Sequence, residues 1–219
     1  TGYQEFMGLE FLVSDKVLIP RQDTEILVEE VLKELHDGMR VLDMCTGSGC
    51  ILLSLLHYSN DCEGLGVDLS AEALEVAGRN VLKVLTPEKA EHAHFLQSDL
   101  FEKVEGKFEI IVSNPPYIAS AEVEKLMPEV RDHEPRMALD GTEDGLYFYR
   151  RIIEEAGKHL VSSGMLFFEI GYDQGQAVSE LMRTEGYCDV QVVQDYAGLD
   201  RVVFGTYVTV QPAPFAKSR

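Results

Sequence analysis

The chain has 219 residues, 45% of them hydrophobic, which fits one compact α/β unit with a substantial core. Its 38 acidic and 19 basic residues give a net charge of -19, which would repel a phosphate backbone and argues against a nucleic-acid substrate. No apolar run approaches the ~20 residues that span a bilayer, so we expect a cytoplasmic protein without a membrane anchor or signal peptide.

The cysteines and histidines do not predict a metal site. Four cysteines show no C-x-x-C pairing, and we expect reduced, mostly buried thiols. They are Cys45, Cys50, Cys62 and Cys188. His92 and His94 alternate as two residues on one face of a surface strand do, without the cysteine or acidic cluster that would complete a metal site.

The first forty residues precede the main pattern. "YQEFMGLEFLVS" predicts two short strands around Met7-Gly8, and "DTEILVEEVLKEL" predicts a helix capped by Asp23 or Thr24. We assign residues 1–22 to an N-terminal β-hairpin segment and residues 23–219 to the main domain, with a frayed tail at 211–219.

Strand-like and helix-like patterns then alternate. The predicted strands cover 39–45, 63–69, 92–99, 107–114 and 164–171, and the predicted helices lie near 49–58, 70–85, 147–160 and 174–185. This alternation predicts a parallel sheet with helices on both faces. Residues 188–195 and 200–208 have too short a connection for a parallel pair and predict an antiparallel hairpin. Such a Rossmann-like, mostly parallel seven-stranded sheet with one antiparallel strand is typical of class I S-adenosylmethionine-dependent methyltransferases.

A glycine turn follows the first strand of this sheet. In "VLDMCTGSGC" the strand reaches Asp43 and turns through residues 46–49 into a helix, where glycines let a ligand approach the backbone. A dinucleotide fingerprint would need glycine or alanine where Leu52 stands, and a Walker loop would need Gly-Lys-Ser/Thr. Both patterns are missing, which disfavours a pyrophosphate site.

Two aspartates end the next two strands. Asp68 lies about twenty residues beyond the glycine turn, where a carboxylate can accept both ribose hydroxyls of an adenosine. Asp99 could hold the adenine amino group, and Leu100 could pack on the ring. Each aspartate could instead be a helix cap or turn residue. Together they predict a pocket for adenosine without a diphosphate, which suits S-adenosylmethionine.

The fourth strand ends in Asn-Pro-Pro-Tyr, residues 114–117. The prolines stiffen the loop, so the Asn114 side-chain carbonyl and the Pro115 backbone carbonyl can bind the two hydrogens of a planar amino group. Tyr117 can cover its flat face. Fixing both hydrogens directs the nitrogen lone pair at the methyl donor and stabilises the charge that grows on nitrogen. A plain proline turn is the alternative.

The loop alone does not choose among amino-methyltransferases of DNA adenine, RNA guanine and protein glutamine. Together with "VLIPRQDTE" (17–25) and "HEPRMALDGTEDGL" (133–146), however, it resembles the HemK/PrmC family of release factor glutamine methyltransferases. The resemblance implies methylation of N5 of the glutamine in the Gly-Gly-Gln motif of peptide chain release factors. A ribosomal-protein glutamine methyltransferase is an alternative, disfavoured by Asp23-Thr24-Glu25. A nucleic-acid amino-methyltransferase and a binding module without turnover are two further alternatives.

The resemblance also assigns residues. It implies S-adenosylmethionine binding by Cys45, Thr46, Gly47, Ser48, Gly49, Asp68, Asp99, Leu100 and Asn114. It implies that the amide is held by Asn114, Pro115, Pro116 and Tyr117, with Asn114, Pro115 and Tyr117 as the catalytic groups. Arg21 and Thr24 are expected either to border the same cavity or to cap the first helix. Residues 134–145 either shape the substrate entrance or act as a supporting loop.

Two departures from the family pattern stand out. Cys45 occupies a position where the family usually has glycine, so the turn must tolerate a side chain. The family's N-terminal helical domain has no counterpart in the sequence, and we expect a shortened protein that keeps catalysis. We expect a monomer that takes a release factor as substrate, leaves S-adenosylhomocysteine as product and binds neither nucleic acid nor membrane.

Overall fold

The computed structural model describes residues 2–131 and 133–208, so the predicted tail at 211–219 lies outside the described residues. The strands are β1 (Tyr3–Phe6), β2 (Leu9–Leu12), β3 (Arg40–Met44), β4 (Glu63–Asp68), β5 (Ala93–Gln97), β6 (Phe108–Ser113), β7 (Leu160–Glu169), β8 (Tyr187–Gln194) and β9 (Asp200–Tyr207). The helices are α1 (Gln22–Glu34), α2 (Cys50–Tyr58), α3 (Ala71–Val84), α4 (Pro87–Ala90), α5 (Ser120–Val123), α6 (Pro128–Arg131), α7 (Tyr147–Ala156) and α8 (Gly175–Thr184). A 3-10 turn covers Arg136–Ala138.

Within the described chain, seven strands form one sheet in the order β5-β4-β3-β6-β7-β9-β8. The pairs from β5 through β7 are parallel, while β9 runs antiparallel to both β7 and β8. The predicted class I architecture is confirmed, and β1 and β2 form the predicted hairpin before it. Because the chain moves outward from β3 to β5 and then returns to β6, the switch point lies between β3 and β6.

Helices cover both faces of the sheet. One core contains Leu27 of α1, Leu53 of α2 and Val84 of α3, together with Phe11 of the hairpin. The core on the other face contains residues of α7 and α8, among them the fully buried Tyr149. Each such large apolar side chain contributes about 1.5–3 kcal/mol when fully buried. The packed faces leave the carboxyl edge of the sheet for a binding site.

The predicted side-chain cap of α1 is wrong. The helix begins at Gln22, and Arg21 before it is extended (φ -104°, ψ 149°), with no side-chain cap bond among the described residues. Thr24 is 2% exposed because it turns into the interior, and Asp23 faces Arg201 at 3.3 Å. Tertiary contacts therefore engage both side chains that could have capped the helix.

The four cysteines are free thiols. Cys50 and Cys62 are buried and Cys45 is partly buried, as expected for most of the thiols, whereas Cys188 is exposed. No group of three or more His, Cys, Asp or Glu residues in the described chain could hold a metal ion. The same residues include no helix with the length and apolar character needed to cross a membrane.

Candidate active site

A cleft opens at the switch point, beside the carboxyl ends of the central strands. Its lining includes these residues predicted from the sequence: Thr24, Cys45, Thr46, Gly47, Ser48, Asp68, Asp99, Leu100, Asn114 and Pro116. Arg21, Gly49, Pro115 and Tyr117 do not line it. Parallel strands that end at one edge bring these distant sequence positions together.

The turn after β3 is held by backbone contacts to β4. The Thr46 N–H donates to the Val67 carbonyl at 2.9 Å, and the Gly47 N–H donates to Oδ2 of Asp68 at 2.9 Å. Cys45 has φ +63°, in the left-handed region, and Gly49 precedes α2 with φ +78°. This left-handed turn directs the chain from the strand into the helix and leaves the intervening backbone beside the cleft.

Asp43 supports the turn from inside the protein. Its Oδ2 accepts a 2.6 Å hydrogen bond from the Thr46 hydroxyl and a 3.3 Å bond from the Leu52 N–H. Oδ1 has no hydrogen-bond partner in the described chain, and complete burial raises the pKa of this carboxyl to about 7. Sequence reasoning did not assign Asp43 a role, although an acidic residue inside an apolar strand was a signal.

Leu52 does not crowd the helix against the sheet, because β4 offers space beside it. A Cβ placed on Gly64 would lie 2.6 Å from Cδ1 of Leu52, so the missing side chain at Gly64 leaves room for this leucine. The large side chain that disfavours a dinucleotide fingerprint is thus fully buried without distorting the turn.

Asp68 and Asp99 differ in their surroundings. Oδ1 of Asp68 accepts from the Ser70 N–H at 2.9 Å; burial raises the pKa of this carboxyl, against the effect of its backbone hydrogen bonds. Asp99 is more exposed and pairs with Arg151 of α7 at 2.9 Å. Leu100, only 5% exposed, lies beside it. Arg151 was not predicted, because nothing in its helix marks a contact 52 positions away.

Asn80 of α3 is another residue that the sequence analysis missed. Its amide nitrogen donates to the Ser48 carbonyl at 2.9 Å and to the Leu12 carbonyl at 3.1 Å, and its oxygen accepts from the Leu12 N–H at 2.7 Å. The side chain is fully buried. It therefore joins β2 of the hairpin to the glycine turn.

The Asn-Pro-Pro-Tyr loop leaves β6 at the switch point. The amide nitrogen of Asn114 faces Oγ1 of Thr24 at 3.4 Å, so its carbonyl oxygen is directed elsewhere. Among the described residues, the Pro115 carbonyl accepts no hydrogen bond. The Tyr117 hydroxyl donates to Oε1 of Glu169 at 3.3 Å, and burial raises the pKa of this phenol. The carbonyl oxygens of Asn114 and Pro115 thus have no hydrogen bond in the described chain, but only Asn114 lines the cleft, and the Tyr117 hydroxyl is turned to the buried Glu169.

The segment 134–145 braces the loop and also borders the cleft. The Gly141 N–H donates to the Ile118 carbonyl at 2.8 Å, and Gly145 lies directly against the Tyr117 carbonyl, where a Cβ would clash. Gln174 Nε2 also donates to that carbonyl, at 3.0 Å. Pro135, Met137 and Ala138 line the cleft, and Glu134 pairs with Arg21. The position of this segment is therefore compatible with both expected roles, shaping the substrate entrance and supporting the Asn-Pro-Pro-Tyr loop.

The chemistry of the cleft lining fits an adenosine without a diphosphate. Carboxylates at Asp68 and Asp99 can accept hydroxyl and amino hydrogens, and the wall between them is largely apolar, with Leu69, Leu100 and Phe148. The turn carries no lysine, whose charge would favour a pyrophosphate.

Comparisons with known proteins identify the family of this chain. Residues 21–130 match the model of the methyltransferase small domain family. A release factor glutamine methyltransferase of Agrobacterium fabrum is 44% identical over 92% of this chain and 71% of its own, and one of Clostridium acetobutylicum is 47% identical over 91% and 70%.

Two solved methyltransferase structures are also similar to this chain. The release factor-specific protein-(glutamine-N5) methyltransferase of Alicyclobacillus acidocaldarius superposes with a TM-score of 0.52 at 30% identity, over 90% of this chain and 99% of that one. A methyltransferase of Pyrococcus furiosus gives a TM-score of 0.65 at 19% identity, over 92% and 90%, which shows the shared fold alone.

Proposed function

Because the chain belongs to the release factor glutamine methyltransferase family, we propose that it methylates the side-chain amide nitrogen, N5, of the glutamine in the Gly-Gly-Gln motif of a peptide chain release factor. The observation that carries the proposal is the position of Asn114. It leaves β6 in the same cleft that Asp68 and Asp99 line, so an amide bound at this loop lies next to an adenosine bound at the carboxylates.

S-adenosylmethionine supplies an electrophilic methyl group on a sulfonium when it is bound. Asp68 would accept its ribose hydroxyls, while Asp99 and Leu100 would hold the adenine. The remaining proposed contacts come from the turn at Cys45, Thr46, Gly47, Ser48 and Gly49, and from Asn114. The fixed amides on both oxygens of Asp68 support its role, because they hold the carboxylate at the cleft.

Asn114 and Pro115 would act on the target amide. Their two carbonyl oxygens accept its two hydrogens, which directs the nitrogen lone pair at the methyl group and stabilises the positive charge that grows on nitrogen. The methylated nitrogen then releases one proton to water, and no strong base is required. Pro116 and Tyr117 would fix this geometry, Tyr117 through its hydroxyl contact to Glu169.

The charge of the chain suits a protein substrate. A net charge of -19 favours a partner with a basic surface and disfavours duplex DNA. We propose that this partner is the release factor itself, met in the cytoplasm, and that its Gly-Gly-Gln loop enters past Met137, which lines the cleft and is 51% exposed.

The experiment is transfer of a labelled methyl group from S-adenosylmethionine to a purified release factor. Parallel reactions contain a release factor with Gly-Gly-Ala in place of Gly-Gly-Gln, ribosomal protein and duplex DNA. Label on the intact release factor alone supports the proposal. Label on DNA or on ribosomal protein, or no label on any substrate, contradicts it.

A variant tests the assignment of Asn114. Asn114→Ala should raise the activation free energy of methylation by about 2.7–4 kcal/mol, as expected for loss of one oriented polar group, with a smaller loss in cofactor affinity, to which Asn114 contributes one of several contacts. A large fall in cofactor affinity with an unchanged rate would contradict this role.

A further inference from the structure

One wall of the cleft comes from the segment 13–20, which lies between the hairpin and α1. It contributes the lining residues Lys16, Val17, Leu18 and Pro20. The Val13 N–H donates to the Gly2 carbonyl just before β1 at 3.0 Å. Apart from that bond, the hydrogen bonds of this segment to described residues stay within the segment. The position of the wall therefore depends on packing and on the contacts that hold the chain at either end.

Packing against α3 holds the middle of this segment. Val13 and Val17 form a small buried cluster with Ala73 and Val76 of that helix. Ala73 lines the cleft as well, so the cluster places the wall beside the cofactor end of the helix. Asn80 lies one turn beyond Val76 on the same helix, and it holds the chain where β2 ends.

The fully buried Asn80 side chain binds the hairpin and the glycine turn together. Its Oδ1 accepts from the Leu12 N–H at 2.7 Å, and its Nδ2 donates to the Leu12 carbonyl at 3.1 Å. Nδ2 also donates to the Ser48 carbonyl at 2.9 Å. Two carbonyls face the nitrogen and one N–H faces the oxygen, so these partners fix the orientation of the amide. Both hydrogens of the amide are therefore used in holding two separate parts of the cleft.

In the turn, Asn80 holds the peptide that joins Ser48 to Gly49. The Gly49 N–H of this peptide donates to the Thr46 carbonyl at 2.8 Å, and Asn80 holds the carbonyl on its other side. Glycine adopts many backbone conformations, so Gly47 and Gly49 do not fix the peptide by themselves. The preceding peptide, Gly47–Ser48, has no hydrogen bond among the described residues, and both of its residues line the cleft. That peptide is available to a ligand, and its bonded neighbours set its position.

We propose that Asn80 is a positioning residue for cofactor binding, which holds the glycine turn and the segment 13–20 in the arrangement that S-adenosylmethionine requires. This inference rests on the cofactor assignment within the proposed function. Asn80 does not line the cleft, so it acts on the cofactor only through Ser48 and through the segment that follows Leu12. A turn and a wall that are held before binding lose little freedom when the cofactor enters, which favours affinity.

The first test measures cofactor affinity by calorimetry in two variants whose folding is checked by circular dichroism. Asn80→Asp keeps the acceptor for the Leu12 N–H but has no hydrogen for the Ser48 carbonyl when it is ionised. Asn80→Ala removes every bond of the side chain without placing a charge in the interior, and it decides the outcome if Asn80→Asp does not fold. We expect S-adenosylmethionine to bind about tenfold more weakly to both, because the turn is no longer held in its binding conformation. An unchanged affinity in Asn80→Ala would overturn the proposal.

Tyr58→Phe is the matched control for affinity. It removes the 2.6 Å hydrogen bond from the Tyr58 hydroxyl to the Met7 carbonyl, another contact of the hairpin, and Tyr58 does not line the cleft. Its affinity for S-adenosylmethionine should equal that of the wild type. A loss equal to that of Asn80→Ala would show that any loosening of the hairpin has this effect, and it would overturn the specific role of Asn80.

Methylation kinetics separate positioning from a general loss of structure. In Asn80→Ala the KM for S-adenosylmethionine should rise about tenfold, while kcat at saturating cofactor should stay within about twofold, because the contacts of the Asn-Pro-Pro-Tyr loop are unchanged. A purely structural role predicts a smaller folded fraction, which lowers kcat and leaves KM unchanged. That result would overturn the proposal.

Hydrogen exchange gives a readout that needs no release factor. Exchange of the Val13 N–H reports opening of the hairpin next to Leu12. Saturating S-adenosylhomocysteine should slow this exchange in the wild type and in Tyr58→Phe, because stabilising the turn also stabilises the strand that Asn80 joins to it. In Asn80→Ala the slowing should be much smaller. Equal slowing in Asn80→Ala and the wild type would overturn the connection.

These measurements distinguish failure of this inference from failure of the proposed function. If the wild type binds S-adenosylmethionine but methylates no release factor, the proposed function fails, and affinity and exchange still decide the role of Asn80. If the wild type methylates the release factor and Asn80→Ala binds the cofactor equally well, this inference alone fails. If the wild type does not bind the cofactor, both are overturned.

Discussion

The backbone N–H of Gly47 donates a 2.9 Å hydrogen bond to Oδ2 of Asp68, so the carboxylate that ends β4 holds the turn that follows β3. The other oxygen of Asp68 is held by Ser70. Two amides therefore fix this side chain at the cleft before a ligand binds. A group held in place in this way loses little conformational freedom when it accepts ribose hydroxyls, which favours affinity.

Replacing this carboxylate should weaken cofactor binding. We expect Asp68→Ala to reduce S-adenosylmethionine affinity by about 1.5–3 kcal/mol, the scale of hydrogen bonds to a charged group, as measured by calorimetry. Glu75→Ala is the matched control, because Glu75 is an exposed carboxylate on α3 that does not line the cleft. Unchanged affinity in Asp68→Ala would remove this residue from the cofactor site.

The backbone conformation of Cys45 in the glycine turn should lower the free energy of unfolding. Cys45 has φ +63°, a conformation that costs a residue with a side chain about 1–2 kcal/mol and costs glycine almost nothing. Glycine also gains freedom in the unfolded chain, which offsets about 0.4–1 kcal/mol of this benefit. We therefore expect Cys45→Gly to stabilise the protein by up to about 1 kcal/mol in chemical unfolding.

The control for this change is Cys45→Ala, which removes the thiol and keeps the strained backbone. The difference between the two variants isolates the backbone contribution from the packing of the sulfur. If Cys45→Gly is no more stable than Cys45→Ala, the left-handed conformation carries no measurable cost here.

Strand ends were the part of the site that the sequence could predict. Asp68, Asp99 and Asn114 each follow a recognisable strand, and a parallel sheet brings such ends to one edge. Contacts between distant segments were not predictable in this way. The buried contact of Glu169 with Tyr117 is one of these, although a glutamate ending the apolar run "GMLFFEIG" was a usable signal of a buried polar site.

The start of α1 shows the same limit of prediction from sequence. Local preference correctly identified a helix start near Asp23 and Thr24, and it assigned one of these two side chains to the cap. In the fold each has a more distant partner, Arg201 for Asp23 and the Asn114 amide for Thr24. Local propensity carries no information about partners that only the folded chain brings near.

Gly145 should be required for the geometry of the Asn-Pro-Pro-Tyr loop. It has φ +72°, and a Cβ there would collide with the Tyr117 carbonyl and approach Nε2 of Gln174 to 2.9 Å. We expect Gly145→Ala to displace the loop and to lower the methylation rate by about a hundredfold, as a misplacement of about 1 Å can. Cofactor affinity should change little, because Gly145 does not line the cleft.

Gly186→Ala is the matched control for this prediction. Gly186 has φ +87°, so an alanine there has a similar backbone penalty, but no atom lies within 4 Å of its Cβ position. Unfolding free energies should therefore fall in both variants, with about 1–3 kcal/mol more lost in Gly145→Ala from overpacking. A methylation rate that falls equally in both would show that the contact with Tyr117 is not responsible.

The buried carboxyl of Glu169 should make the protein less stable as the pH rises. Burial raises its pKa from 4.5 to about 7, so between these pH values the folded protein keeps a proton that the unfolded chain releases. The stabilisation from this protonated form is complete below pH 4.5 and is lost as the pH rises through 7. Above pH 7 the folded protein must hold a buried charge.

Glu169→Gln should remove that penalty, because a glutamine side chain carries no charge. We expect the variant to be more stable than the wild type at pH 8 by up to about 3 kcal/mol, and equally stable at pH 4, in urea unfolding followed by circular dichroism. Asp43, whose pKa is also raised to about 7, contributes the same trend to both proteins and cancels in the comparison. Glu105→Gln, the same change at an exposed position, should show no gain at either pH. A variant that loses stability at pH 8 would mean that the stabilisation of the Glu169 charge by Thr24, Arg201 and Tyr117 outweighs the cost of its burial.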